Sequence, residues 1–242
     1  MKEKLYTIPV NEAFDADTEC PICQIWHTLE KDAVDYTMGN SYMEDFVRAE
    51  TDKLGFCSHH LPLLYANQNR LGLGLILKTH MDKTILDLEK LAKSNKKVSS
   101  PSLFKKKNAD SSPIKEYVDK LNSSCFVCNR IEGFFERYII TIFYMYQNDE
   151  EFREKFKKGK GFCTPHYGLL YELAPKHLHS MAPAFLEELN TLYLENMKRV
   201  RDDLEWFTDK FDYRYANEPW KNSKDALIRT MLKTNSIVKD EK

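Results

Sequence analysis

Three observations predict an all-α protein, a helical bundle built from two similar helical modules. Apolar residues recur at the three-to-four spacing of a helix face over long stretches, most clearly at Phe185, Leu189, Leu192, Val200, Leu204 and Phe207. No segment alternates apolar and polar residues as a half-buried strand does. Glycine and proline are scarce, 8 and 9 among 242 residues, which disfavours a turn-rich β-sandwich.

In chain order, the pattern predicts a helix over 23–36, a shorter one over 42–53 and a third from Cys57 onwards. The run Leu71-Gly72-Leu73-Gly74-Leu75 is expected to bend or interrupt that third helix, since glycine weakens a helix interior. Residues 93–113 read as a polar, Ser-, Lys- and Asn-rich linker with almost no apolar content beyond Val98, Leu103 and Phe104, and its six lysines read as a charged tether. Ser123 or Ser124 is expected to cap a helix opening at Cys125, whose later part is apolar on every side. Asn148 and Asp149 start a short charged helix that stops near Gly159. The next begins around Gly161-Phe162-Cys163, with Pro165 tolerated in its first turn. Beyond the amphipathic helix that follows Pro183, aromatic residues crowd a non-helical connection: Phe211, Tyr213, Tyr215 and Trp220. Such density predicts burial, as a clasp over the bundle with a last helix around Ala226. The chain thus divides into a first module (1–92), a linker (93–115), a second module (116–208) and a C-terminal clasp (209–242).

The two modules emerge from the cysteines. Cys20 and Cys23 recur 105 positions later as Cys125 and Cys128, and Gly55, Phe56, Cys57 and His60 recur 106 later as Gly161, Phe162, Cys163 and His166. Leu63-Leu64-Tyr65 likewise matches Leu169-Leu170-Tyr171, and Glu44-Asp45-Phe46 matches Glu150-Glu151-Phe152. None of the 6 cysteines falls outside this pattern. Residues three apart share a helix face, so each C-x-x-C and each C-x-x-H presents two donors at one point. Two such pairs supply the tetrahedral set of three thiolates and one imidazole that structural zinc prefers. The nearest grouping in sequence places Cys20, Cys23, Cys57 and His60 on one ion and Cys125, Cys128, Cys163 and His166 on another. His60 is preferred to His59, because Pro165 stands at the position matching His59. Two zinc ions per chain are therefore expected, with an iron–sulfur cluster as the alternative and six cysteines acting only as small hydrophobes as the bland reading.

Other signals are weak. His177 and His179 read as ordinary surface histidines, and the carboxylates at 44–45 and 150–151 as solvated faces. No metalloprotease, phosphate-loop, dinucleotide or nucleophile-elbow motif is present, and no βαβ setting surrounds either C-x-x-C. A net charge of -1 gives no reason to expect nucleic acid or an anionic membrane as partner. The opening Met-Lys-Glu-Lys-Leu-Tyr-Thr lacks the apolar core of a signal peptide. The longest apolar stretch, near 138–146, falls well short of the roughly 20 residues of a membrane span. A cytoplasmic setting is expected, in which thiols stay reduced.

The paired C-x-x-C and G-F-C-x-x-H motifs, with the late D-Y-R, E-P-W and D-A segment, resemble an uncharacterised family of proteins from anaerobic Gram-positive bacteria, known only as a domain of unknown function. The resemblance spans nearly the whole chain, from Cys20 to Arg229. It implies metal binding and a cytoplasmic setting, brings no activity or substrate with it, and through the anaerobic source keeps the iron–sulfur alternative in view. The expected function is a non-enzymatic, metal-stabilised module that binds a protein or small-molecule partner. A redox or metal-sensing protein is second, and an enzyme with a pocket between the repeats is third.

Overall fold

The computed structural model describes residues 2–95 and 112–236; within them the chain is helical and no strand occurs. The stretch 96–111, which holds most of the expected linker, lies outside the described residues. Helices α1 (Lys2–Asp15), α2 (Pro21–Met38), α3 (Asp45–Leu54), α4 (His60–Ala66) and α5 (Arg70–Asn95) precede it. Helices α6 (Pro113–Asn122), α7 (Phe126–Asn148), α8 (Glu150–Lys158), α9 (Thr164–Leu178), α10 (Ala182–Asp209) and α11 (Ala226–Asn235) follow.

Local chemistry accounts for most boundaries. Asp149 caps α8 by accepting from the Phe152 amide at 3.1 Å. Glu150 and Glu151 in the first turn of α8 and three lysines in its last turn suit the helix dipole. Pro165 sits in the first turn of α9, where its missing N–H leaves no bond unmade. Helix α3 ends at Gly55, whose φ of 59° lies in the left-handed region.

Several boundaries differ from the sequence reading. Helix α1 was not predicted; Pro9 lies inside it and its apolar stripe is faint, yet Val10 and Ala13 are buried. Helix α5 runs to Asn95 and α6 starts at Pro113, capped by Ser112 accepting from the Lys115 amide, so both helices enter the stretch expected as linker. Neither Ser123 nor Ser124 caps α7. Both hydroxyls donate to carbonyls, Ser123 to Lys120 and Ser124 to Leu121 and Leu54. The break before α5 falls ahead of the glycines, at 67–69. There Asn69 caps the new helix by accepting from the Gly72 amide at 2.9 Å while its own amide donates to Met38 O. Helix α7 is not buried all round: Ile139, Ile142, Phe143, Met145 and Tyr146 face inward, but Ile140 and Tyr144 are exposed.

Two compact units result, and their limits cross those of the sequence modules: 1–29 with 134–242 forms one, and 30–133 the other. Helices α2 and α7 each begin in one unit and end in the other. The first unit has an aromatic core in which Phe14, Tyr146, Phe152, Phe156, Phe162 and Phe185 meet ring to ring, most at centroid distances of 4.8–6.2 Å. The Tyr146 hydroxyl keeps a partner there, donating to Glu188 at 2.6 Å. The second unit buries Val47, Leu64, Leu73, Ile76, Val127 and Ile131, with α5 packed on α3, α4 and α6. No described helix is long and apolar enough to cross a membrane.

Candidate metal centres

The structure gathers all eight sequence-predicted donors into two groups, but exchanges their partners. Cys20, Cys23, Cys163 and His166 form the first group, and Cys57, His60, Cys125 and Cys128 the second. This corrects the nearest-in-sequence pairing. Each C-x-x-C meets the C-x-x-H of the other module, and each group lies wholly within one compact unit. The spacing rule is satisfied equally by either pairing; the route of the chain decides. Cys20 and Cys23 lie in the same compact unit as Cys163 and His166, and Cys125 and Cys128 in the same unit as Cys57 and His60.

The backbone explains the motif. Gly55 and Gly161 both take positive φ, 59° and 78°, immediately before the donor segments. A Cβ on Gly55 would meet the His80 ring at 2.7 Å, a ring held by its bond to Asp52 O; one on Gly161 would lie 3.2 Å from Leu192 O. Glycine therefore turns the chain so that the cysteine two residues later faces the opposite C-x-x-C.

Donor separations agree with one tetrahedral ion per group. Bonds of about 2.3 Å to sulfur and 2.0–2.1 Å to nitrogen place sulfurs about 3.8 Å apart and sulfur and nitrogen about 3.5 Å apart. In the first group Cys163 Sγ lies 3.7 Å from Cys20 Sγ and 3.6 Å from Cys23 Sγ, and His166 Nδ1 is 3.1–3.5 Å from the three sulfurs. In the second, Cys57 Sγ is 3.9 Å from Cys128 Sγ, and His60 Nδ1 is 3.2–3.4 Å from Cys57, Cys125 and Cys128. All six thiols are free, and the sulfurs stand well beyond disulfide length.

The electrostatics favour a cation in both groups. Burial disfavours the His60 imidazolium, but the Cys125 sulfur and the Glu30 carboxylate outweigh it and push the group up to about 10. His166 behaves alike, up to about 9 against the cost of burial, through Cys163 and Cys20. Burial raises the Cys125 thiol, yet the His60 contact brings it down to about 6. Hydrogen bonds from Cys20 and Cys23 hold the Cys163 thiol far below its ordinary value, while Cys23 is driven up by the same contacts. In each group the contacts thus favour one cysteine as thiolate, Cys163 in the first and Cys125 in the second, while Cys23 and Cys128 are raised.

The residues surrounding the two groups differ, and the sequence did not point to them. At the second, His60 Nε2 lies 3.2 Å from Glu30 Oε1, which fixes Nδ1 toward the sulfurs; the exposed His59 contacts the same oxygen at 2.7 Å. The two donor loops are joined directly: the Phe126 amide donates to Gly55 O at 3.0 Å and the Ser124 hydroxyl to Leu54 O at 2.8 Å. In the first group Pro21 stands where Phe126 would and has no N–H, and Glu19 replaces Ser124. A lysine from α11 supplies the missing link. The buried Lys233 ammonium donates to Glu19 O at 2.8 Å and to Lys160 O, and pairs with the Glu19 carboxylate at 3.2 Å. Burial lowers the Lys233 amine, with Glu19 opposing that fall. Arg199 joins Glu19 at 2.5 Å, and the Ser236 hydroxyl sits 3.0 Å from Cys163 Sγ.

Other candidates offer less. The His177 ring lies flat on Phe143, at 5.2 Å and 9°, and burial lowers its basicity; His179 is exposed. The expected burial of the C-terminal aromatics is only partial. Phe211 and Tyr213 are 76% and 88% exposed, and the loop is held by the Lys210 ammonium donating to the carbonyls of Tyr215, Ala216 and Glu218. A depression of about 350 Å³ beside the first group is lined by Phe14, Asp15, Asp17, Lys155 and Lys160, whose charges pair as Lys155–Asp15 and Lys160–Asp17.

No curated protein and no solved structure matches the chain. A family model does, over residues 1–241, and the chain accordingly belongs to that family, a family of unknown function (DUF6062).

Proposed function

We propose that this is a cytoplasmic two-zinc protein whose ions staple a helical scaffold, and that the scaffold serves as a binding or adaptor module for a protein or small-molecule partner. The observation that carries the reading is the set of donor separations. Within each group every donor atom lies within 4.8 Å of every other, which suits a single ion. An iron–sulfur cluster inserts two or more irons and bridging sulfides among its cysteines and spreads them further than one ion does. Three thiolates and an imidazole also complete a tetrahedron, leaving no open position for a reacting water. This favours a structural role over hydrolysis.

The matching positions of the two modules support descent from one duplicated unit. Exchange of partners gives the ions more to hold. The first ion joins residues 140 positions apart and the second residues 71 apart, where pairing within a module would close loops of only 34 and 35. Loop-closure entropy grows with the logarithm of loop length, so the first exchange adds about 1 kcal/mol of stapling over the local pairing. Anaerobic purification followed by metal analysis and an absorption spectrum tests the reading. About two zinc per chain with no visible band is the expected result. Iron with sulfide and a brown colour would replace zinc with a cluster.

A further inference from the structure

The two centres share a donor set but differ in access and in what touches the sulfurs. In the first, Cys20, Cys23 and Cys163 are all buried, at 0, 3 and 0% exposure. In the second only Cys125 is; Cys57 and Cys128 are half-buried, with Sγ atoms 3.9 Å apart. The first centre is also electrophilically quieted. A dication with three thiolates carries one net negative charge, and there the Lys233 ammonium lies against the Glu19 segment that leads into Cys20. The Ser236 hydroxyl lies 3.0 Å from Cys163 Sγ, within reach to donate to it once that sulfur ligates as a thiolate. At the second centre the Glu30 carboxylate, which His59 also contacts, lies 3.2 Å from His60 Nε2 and adds electron density to His60 and through it to the ion and its sulfurs. Accessible, electron-rich thiolates are the ones that oxidants reach.

We propose that Cys57 and Cys128 form a peroxide-reactive thiolate pair whose oxidation discharges the ion of the second centre, while the first centre persists as a structural staple. One thiolate attacks a peroxide oxygen, the O–O bond breaks and hydroxide leaves, giving a sulfenic acid. The second thiolate attacks that sulfur and expels another hydroxide. In balance, two thiolates and one hydrogen peroxide give one disulfide and two hydroxides, the two electrons passing from sulfur to oxygen. Cys125 and His60 alone then remain on the ion, which dissociates. The proposal rests on the two-ion reading.

The test uses the full chain loaded with zinc, its metal content measured first. Hydrogen peroxide is added, zinc release is followed with a colorimetric indicator, and the cysteines are mapped after alkylation. The expected result is two phases. One zinc leaves first, with a Cys57–Cys128 disulfide, and the second leaves at least about tenfold more slowly. Two ions at the outset followed by simultaneous loss, by earlier loss from the Cys20 centre, by a first disulfide joining other cysteines, or by no reaction overturn this proposal alone. A chain that holds no zinc at the outset overturns the two-ion reading and this proposal with it.

Discussion

Gly55 and Gly161 show how much a single backbone position decides. Each turns the chain through positive φ just before a donor cysteine, where a Cβ would crowd the His80 ring at Gly55 and Leu192 O at Gly161. Gly55→Ala is expected to cost about 1–3 kcal/mol, from the left-handed backbone and displacement of His80 together. Thermal denaturation of the zinc-loaded chain measures it, and an unchanged melting temperature would refute the account of the turn. On the two-ion reading Glu30 acts one step behind the ion, at 3.2 Å from His60 Nε2. Glu30→Ala is expected to weaken zinc at the second centre by about 10–100-fold in a chelator competition and to leave the first centre unaffected. His59→Ala is expected to retain the ion, since His60 Nδ1 faces the sulfurs and His59 does not. The eight donors were legible in the sequence because cysteine and histidine recur at fixed spacing, and Pro165 resolved His60 from His59. Glu30 and Glu19 were not, because a carboxylate within a charged helix carries no local mark of what it will meet.

At the level of elements, the contrast between Pro21 and Phe126 matters most. A proline at the first position of α2 suits the helix start but removes the amide that joins the two loops at the second centre. Helix α11 compensates by placing Lys233 across both loops of the first centre. Lys233→Met is expected to destabilise the chain by roughly 3–5 kcal/mol, because the Glu19 carboxylate and two carbonyls stay buried with a partner lost. The check is urea denaturation of the holoprotein, and a loss under about 1 kcal/mol would demote α11 from brace to passenger. Helices α8, α9 and α10 could be read from their caps, their prolines and an apolar stripe. Helix α1 could not, since Pro9 and a faint stripe conceal it, and α6 was hidden within a polar stretch although Ser112-Pro113 is a helix-start signature. The aromatic loop after α10 misled in the other direction: Lys210 organises it through backbone carbonyls, which leaves Phe211 and Tyr213 in solvent.

On the two-ion reading, folding and metal binding are one equilibrium across the whole molecule. The donors bind protons in the unfolded, ion-free chain and none once ligating, so stability rises with pH where those protons are displaced. The difference in melting temperature between zinc-loaded and chelator-treated protein is therefore expected to be large near pH 7.5 and to shrink as pH falls toward about 5, where protons displace the ion. A difference independent of pH would contradict thiolate ligation. What the sequence could not convey at this scale is the exchange of partners, because a C-x-x-C is indifferent to which C-x-x-H it meets and only the paths of α2 and α7 choose. Cadmium-113 substitution tests that exchange directly, through NMR correlations from each ion to the β-protons of its cysteines. One cadmium is predicted to correlate with Cys20, Cys23 and Cys163, and the other with Cys57, Cys125 and Cys128; a cadmium correlating with Cys20, Cys23 and Cys57 would contradict the account.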